Sequence, residues 1–133
     1  MGNEFRGTGN LGAAPVLKMV AVKGEDRPVC ELRVFFDEYS RDAKGEIQQS
    51  GGFWLTGSVW DRRAEATAKL LRKGARVRVE GRLKEESWAD KDTGEEKSEF
   101  RLVIDDVFLA LSRIESVTFK EKSGAGEASD NQE

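Results

Sequence analysis

Apolar and polar residues alternate along most of this chain. In Phe53-Trp54-Leu55-Thr56-Gly57-Ser58-Val59-Trp60, the residues Phe53, Leu55 and Val59 fall on one side of an extended strand. Trp54, Thr56, Ser58 and Trp60 fall on the other, because strand side chains alternate with period two. The same pattern predicts a strand over Val29–Asp37, with Cys30, Leu32, Val34 and Phe36 inward and Glu31, Arg33 and Phe35 outward. It predicts another over Ala75–Ser87, with Val77, Val79 and Leu83 inward and Arg76, Arg78, Glu80 and Arg82 outward. Residues 4–22 read as a strand, a Gly-rich bend and a second strand from Val16 to Val22. Glu96 to about Leu111 reads as a returning strand with a bulge near Asp105-Asp106.

The breaks between strands carry their own signals. Gly24-Glu25-Asp26-Arg27-Pro28 is a turn cluster, and Asp92-Thr93-Gly94 is a hairpin signal. Residues 39–52 are polar and Gly-containing and read as a long exposed loop. Asp61 is placed to cap a helix running to about Lys73, with Ala64, Ala68 and Leu71 as a narrow apolar stripe and Gly74 as the residue that ends it. Residues 112–122 are ambiguous, with Ile114, Val117 and Phe119 suiting a further short strand. Residues 123–133 read as a polar, disordered tail. Strands, one helix between the third and fourth main strands, and a long hairpin make an all-β chain laid out as a five-stranded OB-fold barrel. The expected domain is 1–111, followed by the extension and the tail.

Composition narrows the chemistry. At 133 residues the chain suits one domain, with 38% hydrophobic and 35% charged residues. There is no histidine and only Cys30 as a cysteine, so the commonest general base and any single-chain Cys/His zinc site are excluded. No enzyme activity, metal or cofactor is expected. A lone cysteine, no apolar run long enough for a membrane span and no signal-peptide pattern point to the cytoplasm. The net charge of −3 is uninformative: residues 1–122 hold all 22 Lys and Arg and all but three of the 25 acids, and Glu127, Asp130 and Glu133 supply the rest. Gly7-Thr8-Gly9-Asn10-Leu11-Gly12 matches a dinucleotide-binding spacing. Only six residues precede it and Pro15 follows, so a glycine-permitted bend is the better reading.

The aromatics point to a ligand. Trp54, Trp60 and Trp88 lie on polar strand faces, with Phe35 outward on its strand and Tyr39 just beyond it. Rings at such positions, interleaved with Arg33, Arg76, Arg78, Arg82, Lys84 and Arg101, make a surface on which unpaired bases stack while cations meet phosphates. Arg62, Arg63, Lys69, Arg72 and Lys73 on the helix are weaker candidates.

Three separated motifs carry a family resemblance. Gly9-Asn10-Leu11-Gly12-Ala13-Ala14-Pro15 resembles the opening G-N-L-G-x-x-P of bacterial single-stranded-DNA-binding proteins. Leu70 to Leu83 is similar to that family's L-R-K-G-x-x-V-x-V-E-G-x-L, and Trp88-Ala89-Asp90-Lys91-Asp92-Thr93-Gly94 to its W-x-D-x-x-G hairpin tip. The resemblance spans about residues 5–111. It implies an OB-fold that wraps single-stranded DNA, usually as a homotetramer, a dimer being the smaller alternative. It matches Trp54, Trp60 and Trp88 to stacking positions, and Tyr39 less securely to another. It implies protection of single strands in replication, recombination, repair or conjugal transfer. Rival readings are a primosomal replication-restart protein of the same fold and a protein-interaction module whose aromatics meet a partner. Two departures stand out. Glu85-Glu86 replace residues that are often basic, and the chain ends Asp130-Asn131-Gln132-Glu133 without the family's acidic Pro-Phe tip. Recruitment of the usual tail-binding repair proteins is therefore not expected, and a divergent, mobile-element type is suggested.

Overall fold

The computed structural model describes residues 3–121. The chain runs β1 (Asn3–Leu11), β2 (Val16–Val22), β3 (Glu25–Arg41), β4 (Ile47–Trp60), α1 (Arg62–Leu70), β5 (Arg76–Ala89), β6 (Glu96–Leu109) and a 3-10 turn at Leu111–Arg113. The sheet order is β1-β5-β6-β4-β3-β2, with β1 also pairing β3. That extra pairing, at Asn10 with Phe35 and Leu11 with Val34, closes β1, β3, β4, β6 and β5 into a ring. The ring is the expected five-stranded OB-fold barrel, and β2 adds an edge strand hydrogen-bonded to β3. The helix lies between the third and fourth barrel strands.

Of the positions expected inward, all but Phe53 form the core or pack against it; Phe53 stays 41% exposed, beside the Phe5 and Phe36 rings. Cys30, Leu32, Val34, Phe36, Leu55, Val59, Val77, Val79, Leu102 and Ile104 are all buried. Ala64 of α1 plugs the same core, with Ala68 and Leu71 packed against it. The bulge falls where expected. Glu80 pairs Asp106 while Gly81 pairs Ile104, leaving Asp105 as the extra residue.

Five local expectations are corrected. Residues 39–52 are mainly the arms of a β3–β4 hairpin that turns at 42–46. These arms carry no apolar alternation because they project past the core, so both faces stay polar. The Asp42 carboxylate stabilises the tip by accepting hydrogen bonds from the Lys44 and Glu46 amides, both at 2.9 Å. At 24–28 only Lys23 and Gly24 turn, and β3 is already paired from Glu25. Asp61 does not cap α1 with its side chain. Its carboxylate is taken by Arg27. The helix ends at Leu70, because Leu71 becomes extended and packs toward the core. Gly74 has φ +88 but serves the link into β5, where its amide donates to the Leu11 carbonyl at 2.8 Å. Finally, residues 114–121 form no strand. The expected tail at 123–133 lies outside the described residues, as do the first two residues of the expected 1–111 domain.

Candidate nucleic-acid interface

The outward positions of β3, β4, β6 and β5 share one face of the barrel. Antiparallel pairing sets Arg33 opposite Thr56 and Phe35 opposite Trp54, and parallel pairing sets Thr56 beside Arg101. On the next ladder, Lys84 pairs Arg101, Arg82 pairs Val103 and Trp88 pairs Lys97. Paired residues point to the same side of a sheet. Register therefore places Arg33, Phe35, Trp54, Trp60, Arg82, Lys84, Trp88 and Arg101 on a common outer face.

Within that face only some side chains touch. The Phe35 and Trp54 ring centroids are 5.1 Å apart, and the Arg33 guanidinium carbon lies 5.3 Å from the Trp54 centroid. Arg33 also donates to the Thr56 hydroxyl at 3.0 Å. The Trp54 ring lies across Gly12, where an added Cβ would come within 2.5 Å of it. Any other residue at 12 would lift the ring off the sheet, so this glycine sets the pose of Trp54. Even so, Trp54 remains 46% exposed.

The other rings stand apart. Trp60 ends β4, six residues and about 20 Å from Trp54 at the rise of a strand. Arg27, which lies on β3 and not in the expected turn cluster, covers it with its guanidinium carbon 4.9 Å from the ring centroid. Trp88 lies near the tip of the β5–β6 hairpin and is also 46% exposed. The turn beyond it is held by the Asp90 carboxylate, which accepts from the Asp92 amide at 2.8 Å and the Thr93 amide at 3.2 Å. Those amides hold Asp90 below the usual carboxylate range. Tyr39, on the projecting arm, is exposed. A hydrogen bond to Asp37 raises its hydroxyl pKa.

The cations differ in how free they are. Arg76 is committed: it donates to Asn10 Oδ1 at 2.5 Å and Asp37 Oδ1 at 3.1 Å, and its side chain is 21% exposed against 8% for Asp37. Arg78 pairs with Glu80 at 3.1 Å and Arg82 with Asp105 at 3.7 Å. Arg101 has three carboxylates near it, Glu31 at 3.3 Å, Glu99 at 3.5 Å and Glu86 at 3.7 Å. Among the described residues, Arg33 and Lys84 are the expected cations with no carboxylate at ion-pairing distance. Of the weaker candidates, Arg62, Arg63 and Lys69 lie on α1, which packs against β3 and β4 and carries none of the rings, while Arg72 and Lys73 lie beyond its end. Alternation alone made all six strand cations look equivalent. Some of the carboxylates that separate them are two residues away on the same strand, Glu80 for Arg78 and Glu99 for Arg101; the others, Asp37, Asp105, Glu31 and Glu86, come from other strands.

The Arg76–Asp37 pair gives a pH signature. Burial acts to raise the Asp37 carboxyl, but hydrogen bonds from Arg76 and Tyr39 outweigh it and hold the group below the ordinary 3.8. A carboxylate depressed in the folded state stabilises it above the unfolded pKa and loses that contribution as pH falls through the folded value. Asp37→Asn is therefore expected to destabilise the fold by about 1–2 kcal/mol at neutral pH. The deficit should shrink steadily below about pH 4. Thermal melts of both proteins at several pH values check this.

Comparison with known proteins follows the same outline. The model of the single-strand binding protein family matches residues 3–110. Single-stranded DNA-binding protein 1 of Nostoc sp. is 31% identical over 84 residues, covering 63% of this chain and 65% of that protein. Single-stranded DNA-binding protein 2 of Streptomyces coelicolor is 34% identical over 119 residues, covering 89% of this chain and 57% of that one. In both cases the match spans less than two thirds of the relative's length. Among solved structures, a small single-stranded DNA-binding protein from Streptomyces coelicolor superposes with a TM-score of 0.71 at 19% identity, covering 85% of this chain and 98% of that one. A Plasmodium falciparum SSB in complex with ssDNA gives 0.67 at 23%, covering 81% and 94%. These two likenesses bear on the fold, and the family match bears on descent. With a matching model over nearly all the described barrel, the chain belongs to the single-strand binding protein family.

Proposed function

We propose that this chain binds single-stranded DNA without sequence preference, stacking bases on its outer-face rings and making or breaking no bond. The observation that carries the reading is the group of Arg33, Phe35 and Trp54. A large ring is held flat on Gly12, flanked by a second ring and a free cation, and left half-exposed on a sheet face. Burying that ring would be favourable, and no element of the described fold does so. Trp88 and Tyr39 extend the path, with Trp60 at its α1 end beneath Arg27, and each stacked base contributes about 1–3 kcal/mol. Arg33 and Lys84 meet phosphates directly. Arg78, Arg82 and Arg101 reach them by exchanging a carboxylate partner, while Arg76 braces β1 against β3. The names of the relatives support the same ligand.

The barrel, residues 1–111, carries this binding. We infer that the protein protects single strands in replication, recombination, repair or conjugal transfer, in the cytoplasm beside the nucleoid. We infer also that it works as a homo-oligomer, a tetramer before a dimer. Exposed Val16, Leu17 and Met19 on edge strand β2 favour such an assembly. No helix among the described residues is long and apolar enough to cross a membrane.

The experiment is a titration with a dT oligomer and with duplex DNA at moderate salt, with the mass of the free protein measured by light scattering. Bases in a duplex offer no free faces to the rings, so the single strand is expected to bind far more tightly, and tryptophan emission to be quenched. Equal affinity for both would remove the stacking mechanism.

A further inference from the structure

Asp61, between β4 and α1, is unusual on local grounds. It is a non-glycine residue at φ 65 and ψ −134, and it makes no side-chain hydrogen bond to the helix it precedes. An aspartate at this position ordinarily caps the helix, and a positive φ ordinarily falls to glycine. Here both preferences are overridden. The carboxylate turns to Arg27, accepting from Nε at 2.9 Å and from Nη2 at 2.5 Å, and the Asp61 amide donates to the Pro28 carbonyl at 2.9 Å. The ion pair is exposed to solvent, and such pairs contribute little to stability. Stability does not account for the arrangement, and backbone outliers of this kind gather at functional sites.

What the pair achieves is geometric. Two hydrogen bonds to one carboxylate fix the plane of the guanidinium, which Asp61 thereby holds over the Trp60 ring. Trp60 is half-buried beneath it, whereas the Arg27 side chain is 37% exposed. A molecule approaching this end of the sheet face meets the guanidinium. A planar guanidinium stacks on aromatic faces, and bases stack on guanidinium planes. Asp61 occupies two of its N–H groups, and the others stay available to a base edge or a phosphate.

We propose that Arg27, pinned by Asp61 over Trp60, is a base-stacking subsite, giving a stack of indole, guanidinium and nucleotide base at the α1 end of the interface. The subsite rests on the single-strand reading above and assigns it a contact surface that no strand pattern marks. Because Asp61 already neutralises Arg27, the contribution is stacking more than charge. Arg27 and Asp61 are therefore a contact and its positioning residue, and Trp60 is their support.

The experiment titrates wild-type, Arg27→Ala and Arg27→Lys proteins with a dT oligomer at low and at high salt. Failure of the wild-type protein to bind would remove the single-strand reading itself. Given wild-type binding, Arg27→Ala is expected to lose about five- to tenfold in affinity. The loss should persist at high salt, where exposed charges are screened. Arg27→Lys keeps the charge without the plane and should be as weak as Arg27→Ala at high salt. A lysine variant that binds like wild type there, or an alanine deficit that vanishes there, would overturn the subsite while leaving single-strand binding intact. The Arg27 Nε–Hε NMR signal of the wild-type protein reads the same contact without substitution. It should shift when dT is added, and an unmoved signal would overturn the proposal.

Discussion

Trp54→Ala is expected to weaken binding to a dT oligomer by about five- to a hundredfold and to leave cooperative unfolding in place. The first half follows from the ring's position. Trp54 is the most supported of the exposed aromatics, set on Gly12, beside Phe35 and under Arg33. A platform already held flat loses little freedom when a base lands on it, so most of its stacking free energy appears as affinity. The second half follows from exposure. The ring lies outside the barrel, on the opposite side of β4 from Leu55 and Val59, so its removal opens no cavity in the core. Trp54→Phe keeps a smaller ring on the same glycine and should retain part of the affinity. Loss of the cooperative melt in Trp54→Ala would show that the ring holds the Gly12 segment after β1 against β4 and that its DNA role is secondary.

Gly9→Ala is expected to destabilise the fold by about 3 kcal/mol, at the upper end for an overpacked core position. An added Cβ at residue 9 would stand 2.2 Å from the Phe35 carbonyl oxygen and 3.0 Å from the Phe36 Cα. Both are backbone atoms, so no rotamer change relieves the clash. β1 must move away from β3, and it is this contact, through Asn10–Phe35 and Leu11–Val34, that closes the barrel. Urea unfolding of Gly9→Ala beside Thr8→Ala is the measurement. Thr8 is exposed on the same strand and its truncation should cost little. If Gly9→Ala unfolds at the wild-type midpoint, the closure tolerates a wider spacing than the structure shows.

The glycines illustrate how far the chain can be read without its fold. The Gly7–Gly12 stretch reads as a bend that lets a barrel turn. The structure gives its glycines separate tasks, Gly9 for the crossing of two backbones and Gly12 for seating a ring. Neither task is local: the atoms concerned belong to β3 and β4, more than twenty residues further along the chain. The hairpin over 39–52 shows the converse limit. Its arms stay paired past a register shift between Glu38 and Tyr39, yet they leave no apolar signature because they bury nothing.

By itself the sequence determined most of the residues that face the core, Phe53 excepted, the order of strands and helix along the chain, the bulge at Asp105 and the outward placement of Trp54, Trp60 and Trp88. Each of these follows from a period-two pattern or a turn preference, interactions that act over a few residues and are written in adjacent positions. Tertiary structure alone decided which outward cations are free. Arg76 is tied to Asp37 and Asn10, and Arg101 to Glu31, Glu86 and Glu99, through contacts that span up to 70 positions. It alone set Arg27 over Trp60 by drawing Asp61 away from the helix end. Alternation assigns a side chain to a face. Which charge or ring it meets there depends on strand register and barrel closure, and those are fixed only when distant segments pack around one core.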